Sequence, residues 1–315
     1  MRNFFNNDCK PTQAKINGII EEIYFENDRF NPQIKKKTFE KIPSMILDNK
    51  RGSTNLEKLD MSNCFSFPKS VSYLKQILSY LNIQNNEIVL DFFSGSATTA
   101  QAAMELNVEN NGNCKFIMVQ INENLDETLK KTENTEQNAI KSAIKFLDKI
   151  GKNHFYTELG KERIRRAGNN IQKENPDKKI DVGFRVFKVD DTNMKDVYYS
   201  PNETDQKQLG LYESNIKDDR TDEDLLYGCL LDWGVELSLP HRVETIDGKR
   251  VHIVDEDALI ACFEENIPES VIRKIAGMKP LRVVFRDSSF NSDDNKINVE
   301  EIFKLITPDT RVKVI

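Results

Sequence analysis

The residues best suited to hold a ligand lie in one short run, Asp91-Phe92-Phe93-Ser94-Gly95-Ser96-Ala97-Thr98-Thr99. A glycine in a turn lets the backbone come close to a ligand, and the start of a following helix offers free N–H groups. Asp91 adds a carboxylate that accepts from an ammonium or a hydroxyl. It would repel a phosphate and hold a zwitterionic amino-acid group, so the run separates those two ligand classes. Neither Gx4GK(S/T) nor GxGxxG is present, which disfavours the usual ATPase and dinucleotide loops. The plainer alternative is an ordinary strand-to-helix turn that happens to contain a glycine.

Such a loop works only if a buried strand delivers it and a helix receives it. Glu87 to Phe93 is a short apolar run fit for a buried parallel strand. Ala100 to Leu106 is rich in helix formers, and Phe116 to Ile121 gives a second strand after the turn-like Asn110-Asn111-Gly112-Asn113. Strand, turn, helix, strand is one right-handed βαβ unit. Upstream, Pro68 stops regular structure, and Val71, Leu74, Ile77, Leu78 and Leu81 predict a helix over 70–82. Downstream, residues 122–138 read as a polar loop, 139–150 as a helix ended by Gly151, and 158–167 as a basic helix capped by Thr157. Val182 to Val189 alternates like a strand. The implied division is an irregular lead-in over 1–60, a ligand-binding part over 61–190, a linker over 191–221 and a small α/β domain over 222–315. In that last part Asp247-Gly248 predicts a hairpin between strands at 235–245 and 250–254. Short helices are expected at 258–263 and 269–275, a strand at 281–285, a helix at 299–305 and an edge strand at 311–315.

The chain has 315 residues, 38% of them hydrophobic and 30% charged, with a net charge of −6. That leaves room for two domains at roughly 100–200 residues each. No apolar run of about 18 residues occurs, so no membrane span is expected. Met1 to Asp8 lacks the apolar stretch of a secretory signal. The cysteines Cys9, Cys64, Cys114, Cys229 and Cys262 form no CxxC pair and read as reduced thiols of a cytoplasmic protein, each a small core residue. His154, His241 and His252 make no HExxH, so no metal site is expected, though His241 and His252 could meet across a hairpin. Lys161, Arg163, Arg165 and Arg166 either touch DNA phosphates or a partner, or form a solvated helix face. Trp233 reads as core, and Lys217 to Asp224 as a solvated linker and helix N-terminus.

The Asp91–Thr99 run resembles the cofactor loop of amino DNA methyltransferases, which binds S-adenosylmethionine. Phe65-Ser66-Phe67-Pro68-Lys69-Ser70 is similar to the element that lies just before that loop in the β-class permutation. Glu162 to Ala167, Gly183 to Lys188 and Leu230 to Gly234 are similar to the C-terminal half of a narrower family, the modification (Mod) subunits of type III restriction-modification systems. The resemblance implies a Rossmann-like, S-adenosylmethionine-dependent half-fold with adenine-N6 specificity. It implies that Asp91 contacts the methionyl amino group, that Phe93, Gly95 and Ser96 shape the pocket, and that Phe67, Pro68 and Lys69 border the methionyl carboxylate. Thr98 and Thr99 would close the turn and cap the helix, and Gln120 would face the ribose hydroxyls where many relatives have an acid. Ala97 replaces the usual second glycine, placing a methyl near the expected cofactor, and Ser70 replaces a proline.

The resemblance also exposes a gap. Family enzymes hold the target amine with an Asp/Asn/Ser-Pro-Pro-aromatic turn and stack the flipped base on its ring. This sequence has ten prolines and no Pro-Pro pair. Ser200-Pro201-Asn202-Glu203 and Asn31-Pro32-Gln33-Ile34 lack the second proline and the aromatic. No catalytic residue is therefore assigned, and the chain is expected to be the C-terminal portion of a Mod subunit without its target-recognition region. The implied partners are DNA, mainly through the missing regions, a second Mod copy and the restriction helicase-nuclease subunit. The competing readings are a non-catalytic docking or oligomerisation module with a vestigial loop, and an unrelated small-molecule methyltransferase.

Overall fold

In a computed structural model of the chain, the described residues are 46–81, 83, 86–132, 137–178, 180–195, 216–290 and 293–315, with the backbone of three strands ahead of them. Ser200 to Glu203 and Asn31 lie outside the described residues. The chain divides into two compact units, Met1–Phe184 and Arg185–Ile315.

In the first unit, β1 (Thr12–Gln13), β2 (Ile19–Phe25) and β3 (Pro32–Lys37) form an antiparallel sheet in that order. The lead-in is thus not irregular throughout, and α1 (Gly52–Glu57) closes it. Then follow α2 (Val71–Tyr80), β4 (Ile88–Asp91), α3 (Thr98–Asn110) and β5 (Lys115–Met118). β4 and β5 pair in parallel, Leu90 opposite Ile117 and Asp91 opposite Met118, so the expected βαβ unit is present. One face of the pair packs Val89, with Phe116, against Val71 and Leu78 of α2 and Ala102, Ala103 and Leu106 of α3. The other face carries Ile88, Leu90 and Ile117, all exposed, and Val119 and Ile121 just after β5 are exposed as well.

The loop expected over 122–138 is corrected in part: α4 (Leu125–Lys131) lies there and α5 (Gln137–Lys149) begins there. The Asn124 side chain accepts from the Asp126 and Glu127 N–H groups, and acids lead and lysines end α4, as the helix dipole favours. The basic helix is longer than expected, α6 (Tyr156–Glu174), and its N-cap is Phe155, with Thr157 inside the first turn. Val182 to Val189 forms no strand, because alternation alone supplies no pairing partner.

The second unit holds α7 (Asp222–Asp232), β6 (His241–Ile246), β7 (Lys249–Val254), β8 (Leu259–Cys262), α8 (Glu269–Gly277), β9 (Arg282–Phe285), α9 (Asp293–Ile306) and β10 (Arg311–Val314). Its sheet runs β10-β9-β8-β7-β6. Asp247 and Gly248, both at positive φ, turn the β6–β7 hairpin. Thr221 and Asp224 make a reciprocal capping box on α7. Residues 258–263 are corrected from helix to strand: β8 is buried along its length in the sheet's centre, where a short apolar run carries no helix-or-strand period. Residues 235–240 precede the strand instead of joining it. Val251, Ile260, Val283 and Phe285 pack on α8 and α9. Trp233 packs with the core on the other side, under Lys313. His241 and His252 do meet, Nε2 to Nδ1 at 3.1 Å, and burial with the neighbouring ring holds His241 below the usual histidine range. The architecture is α/β in both units.

Candidate functional site

β4 ends at Asp91, and the loop that follows is fixed from several sides. Asp91 Oδ2 accepts from Thr99 Oγ1 at 2.6 Å, and Oδ1 accepts from the Phe93 N–H at 3.1 Å. Each oxygen keeps a lone pair for a ligand donor. The Ser94 N–H donates to the Val119 carbonyl and the Gly95 N–H donates to Gln120 Oε1 at 2.8 Å. Gln120 therefore braces the loop with its oxygen, while its Nε2 makes only a 3.4 Å bond to the Ile121 carbonyl. Gly95 adopts φ +49°, the left-handed region that glycine enters without a Cβ clash.

The Phe65–Ser70 element arrives at the same place. Thr98 Oγ1 donates to the Lys69 carbonyl at 3.4 Å and meets Ser96 Oγ at 2.9 Å. Lys69 and Phe67 are exposed, with Pro68 partly covered. Ser70 precedes α2 and bonds Ser72, whose hydroxyl donates to Asp48. The structure thus brings Lys69, Asp91, Gly95, Ser96, Thr98, Thr99 and Gln120 into one network. The Phe67 and Phe93 side chains stand in solvent, 84% and 86% exposed. Neither threonine caps α3; its N-cap is Ala97, without a side-chain bond.

Two expectations change. Ala97 is also left-handed, at φ +54°, and it is buried. Its methyl faces Gly160 of α6, where an added Cβ would sit 3.6 Å away, so it belongs to the core. On the basic helix Arg163 fits neither a phosphate contact nor a solvated face, while the other three cations have acidic partners. Lys161 pairs with Glu158, and Arg165 and Arg166 both pair with Glu162. Arg163 is fully buried and reaches the loop: Nη1 donates to the Ser96 carbonyl at 2.9 Å and to Thr98 Oγ1 at 2.6 Å. Burial lowers its pKa to about 10, with Glu105 opposing. Sequence reasoning missed it, although its spacing from Leu159 and Ala167 sets it on the apolar stripe of α6, where a charge must have buried partners.

Burial raises the Cys64, Cys229 and Cys262 thiols to about 11, so they are weak nucleophiles. Among the described residues no cluster could hold a metal ion, and no helix is long and apolar enough to cross a membrane.

Comparison with known proteins gives the following similarities. Residues 9–131 match a family model described as DNA methylase. The chain is 34% identical over 143 residues to the StyLTI Mod subunit of a type III restriction-modification enzyme from Salmonella typhimurium, covering 45% of this chain and 19% of the relative. It is 29% identical over 291 residues to the EcoP15I Mod subunit from Escherichia coli, covering 86% of this chain and 40% of the relative. Against the type II methyltransferase M.KpnI of Klebsiella pneumoniae it is 30% identical, covering 36% of this chain and 26% of the relative. The chain therefore spans less than half the length of these relatives. Residues 9–131 thus resemble a DNA methylase, and the chain is similar along most of its length to a Mod subunit of a type III restriction-modification enzyme.

Proposed function

We propose that this chain is the S-adenosylmethionine-binding portion of a type III adenine-N6 DNA methyltransferase, a Rossmann-like half-fold followed by a C-terminal α/β domain. The observation that carries the reading is Asp91, an acid held by the loop's own Thr99 and Phe93 N–H yet with acceptor capacity left on both oxygens. That arrangement suits an ammonium. When bound, the cofactor supplies an activated methyl group on sulfur. Asp91 would hold its amino group, and Gly95 and Ser96 would shape the pocket. The Phe67–Lys69 segment would border the carboxylate, and Gln120 Nε2 would donate to a ribose hydroxyl. A positive-φ glycine whose added Cβ would meet nothing closer than the Phe93 carbonyl at 3.8 Å leaves the loop open to close approach.

This sequence has no Pro-Pro turn to hold an adenine amine, so the chain acts with a counterpart that supplies it. DNA, a second Mod copy and a restriction subunit are its proposed partners, in the cytoplasm. A second reading, a docking module with a vestigial loop, is favoured by the self-contained core of the second unit.

Calorimetry separates the two. Micromolar binding of S-adenosylmethionine, weakened about tenfold or more in Asp91→Ala by loss of a charge-assisted bond, supports the first. No heat at millimolar ligand sinks it and favours the second. The purified chain alone is expected to transfer no tritiated methyl group to DNA.

A further inference from the structure

We infer that Arg163 is a positioning residue of this loop, setting the shape of Ser96–Thr98 from beneath without touching the ligand; the inference rests on reading the loop as the S-adenosylmethionine site. The guanidinium is 0% exposed. Besides the Ser96 carbonyl and Thr98 Oγ1, Nη1 lies 3.0 Å from Ser96 Oγ. Nε and Nη2 both donate to Gln101 Oε1, at 3.2 and 3.0 Å. A rigid fork of donors thus grips two successive stretches, the loop and the first turn of α3.

The charge is what makes this informative. Glu105 acts on Arg163 at a distance, through Gln101, whose Nε2 donates to Glu105 at 3.1 Å. Its direct acceptors are the loop's carbonyl and hydroxyls and one amide oxygen, all neutral. A buried cation so placed is costly, and an apolar side chain of similar volume would fill the space at lower cost. Ser96 sits between Gly95 and Ala97, both left-handed. In that backbone the Ser96 carbonyl turns inward, where it needs a donor. Arg163 supplies it. Thr98 Oγ1 then passes the constraint to the Lys69 carbonyl, so one cation couples the loop to the segment bordering it.

The test uses the intact chain with Arg163→Met, Arg163→Lys and Thr98→Val, reading calorimetric affinity for S-adenosylmethionine, thermal midpoint and amide exchange over residues 94–99. Arg163→Met is expected to weaken binding about tenfold or more and to speed exchange in the loop. Arg163→Lys, which keeps a cation, should recover part of both. A packing role predicts the reverse, with Met tolerated and Lys not, and that result overturns the inference. If the parent chain binds no S-adenosylmethionine, the cofactor reading falls by itself. Arg163 is then judged by exchange alone, and unchanged loop exchange in Arg163→Met overturns its role. If Arg163→Met does not fold, Thr98→Val decides: affinity unchanged at an unchanged thermal midpoint overturns the inference.

Discussion

Ala97 holds a backbone conformation that alanine resists. A left-handed residue with a Cβ costs about 1–2 kcal/mol, while its buried methyl returns about 0.8 kcal/mol. These nearly cancel, so Ala97→Gly should move the thermal midpoint by no more than a few degrees. Because the methyl faces Gly160, the substitution should leave S-adenosylmethionine affinity unchanged; a tenfold gain would place the methyl against the ligand instead. At this scale the sequence was legible where type and place coincide. Asp91 and Gly95 announce themselves by following an apolar run. Arg163 was hidden among Lys161, Arg165 and Arg166, since a charge cluster looks alike whether its members face solvent or core. Gln120 was found for its position, but its oxygen's task of holding the Gly95 N–H depends on a turn that no spacing rule describes.

Among the elements, α1 does more than its length suggests. A Cβ on Gly52 would lie 2.0 Å from the Pro68 carbonyl oxygen and 2.6 Å from that of Lys69, both backbone atoms. Only glycine lets α1 lie against the segment that borders the loop. Gly52→Ala should therefore destabilise the chain by about 2 kcal/mol or more, read from the denaturation midpoint, and displace Pro68–Lys69; a stability within 0.5 kcal/mol of the parent, roughly the ordinary surface range, would refute the close approach. Helices such as α2 were legible from their apolar spacing and β4 from its apolar run. β8 was not, because a fully buried strand and a short buried helix share one apolar signature. α4 was masked by its high charge, although Asn124 and the order of acids before lysines mark both of its ends.

At the scale of the whole molecule, the α/β class and the order of the βαβ unit could be read from the chain, because they follow from local periodicity and crossover handedness. The pairing of β2 with β1 and β3 could not, since it depends on a register between strands that the residue pattern does not give. The EcoP15I Mod subunit aligns with 86% of this chain, and that alignment spans 40% of the relative.

The exposed apolar side chains on and just after β4 and β5 should give the chain a temperature response. Ile88, Leu90, Ile117, Val119 and Ile121 present a row of apolar side chains to water, and attraction between such surfaces weakens on cooling. Solutions of the intact chain should scatter more light on warming from cold to ambient temperature, well below unfolding, and clear again when chilled. Ile117→Lys with Ile121→Lys should abolish the effect, and persistence of the clouding in that double variant would trace it to another surface.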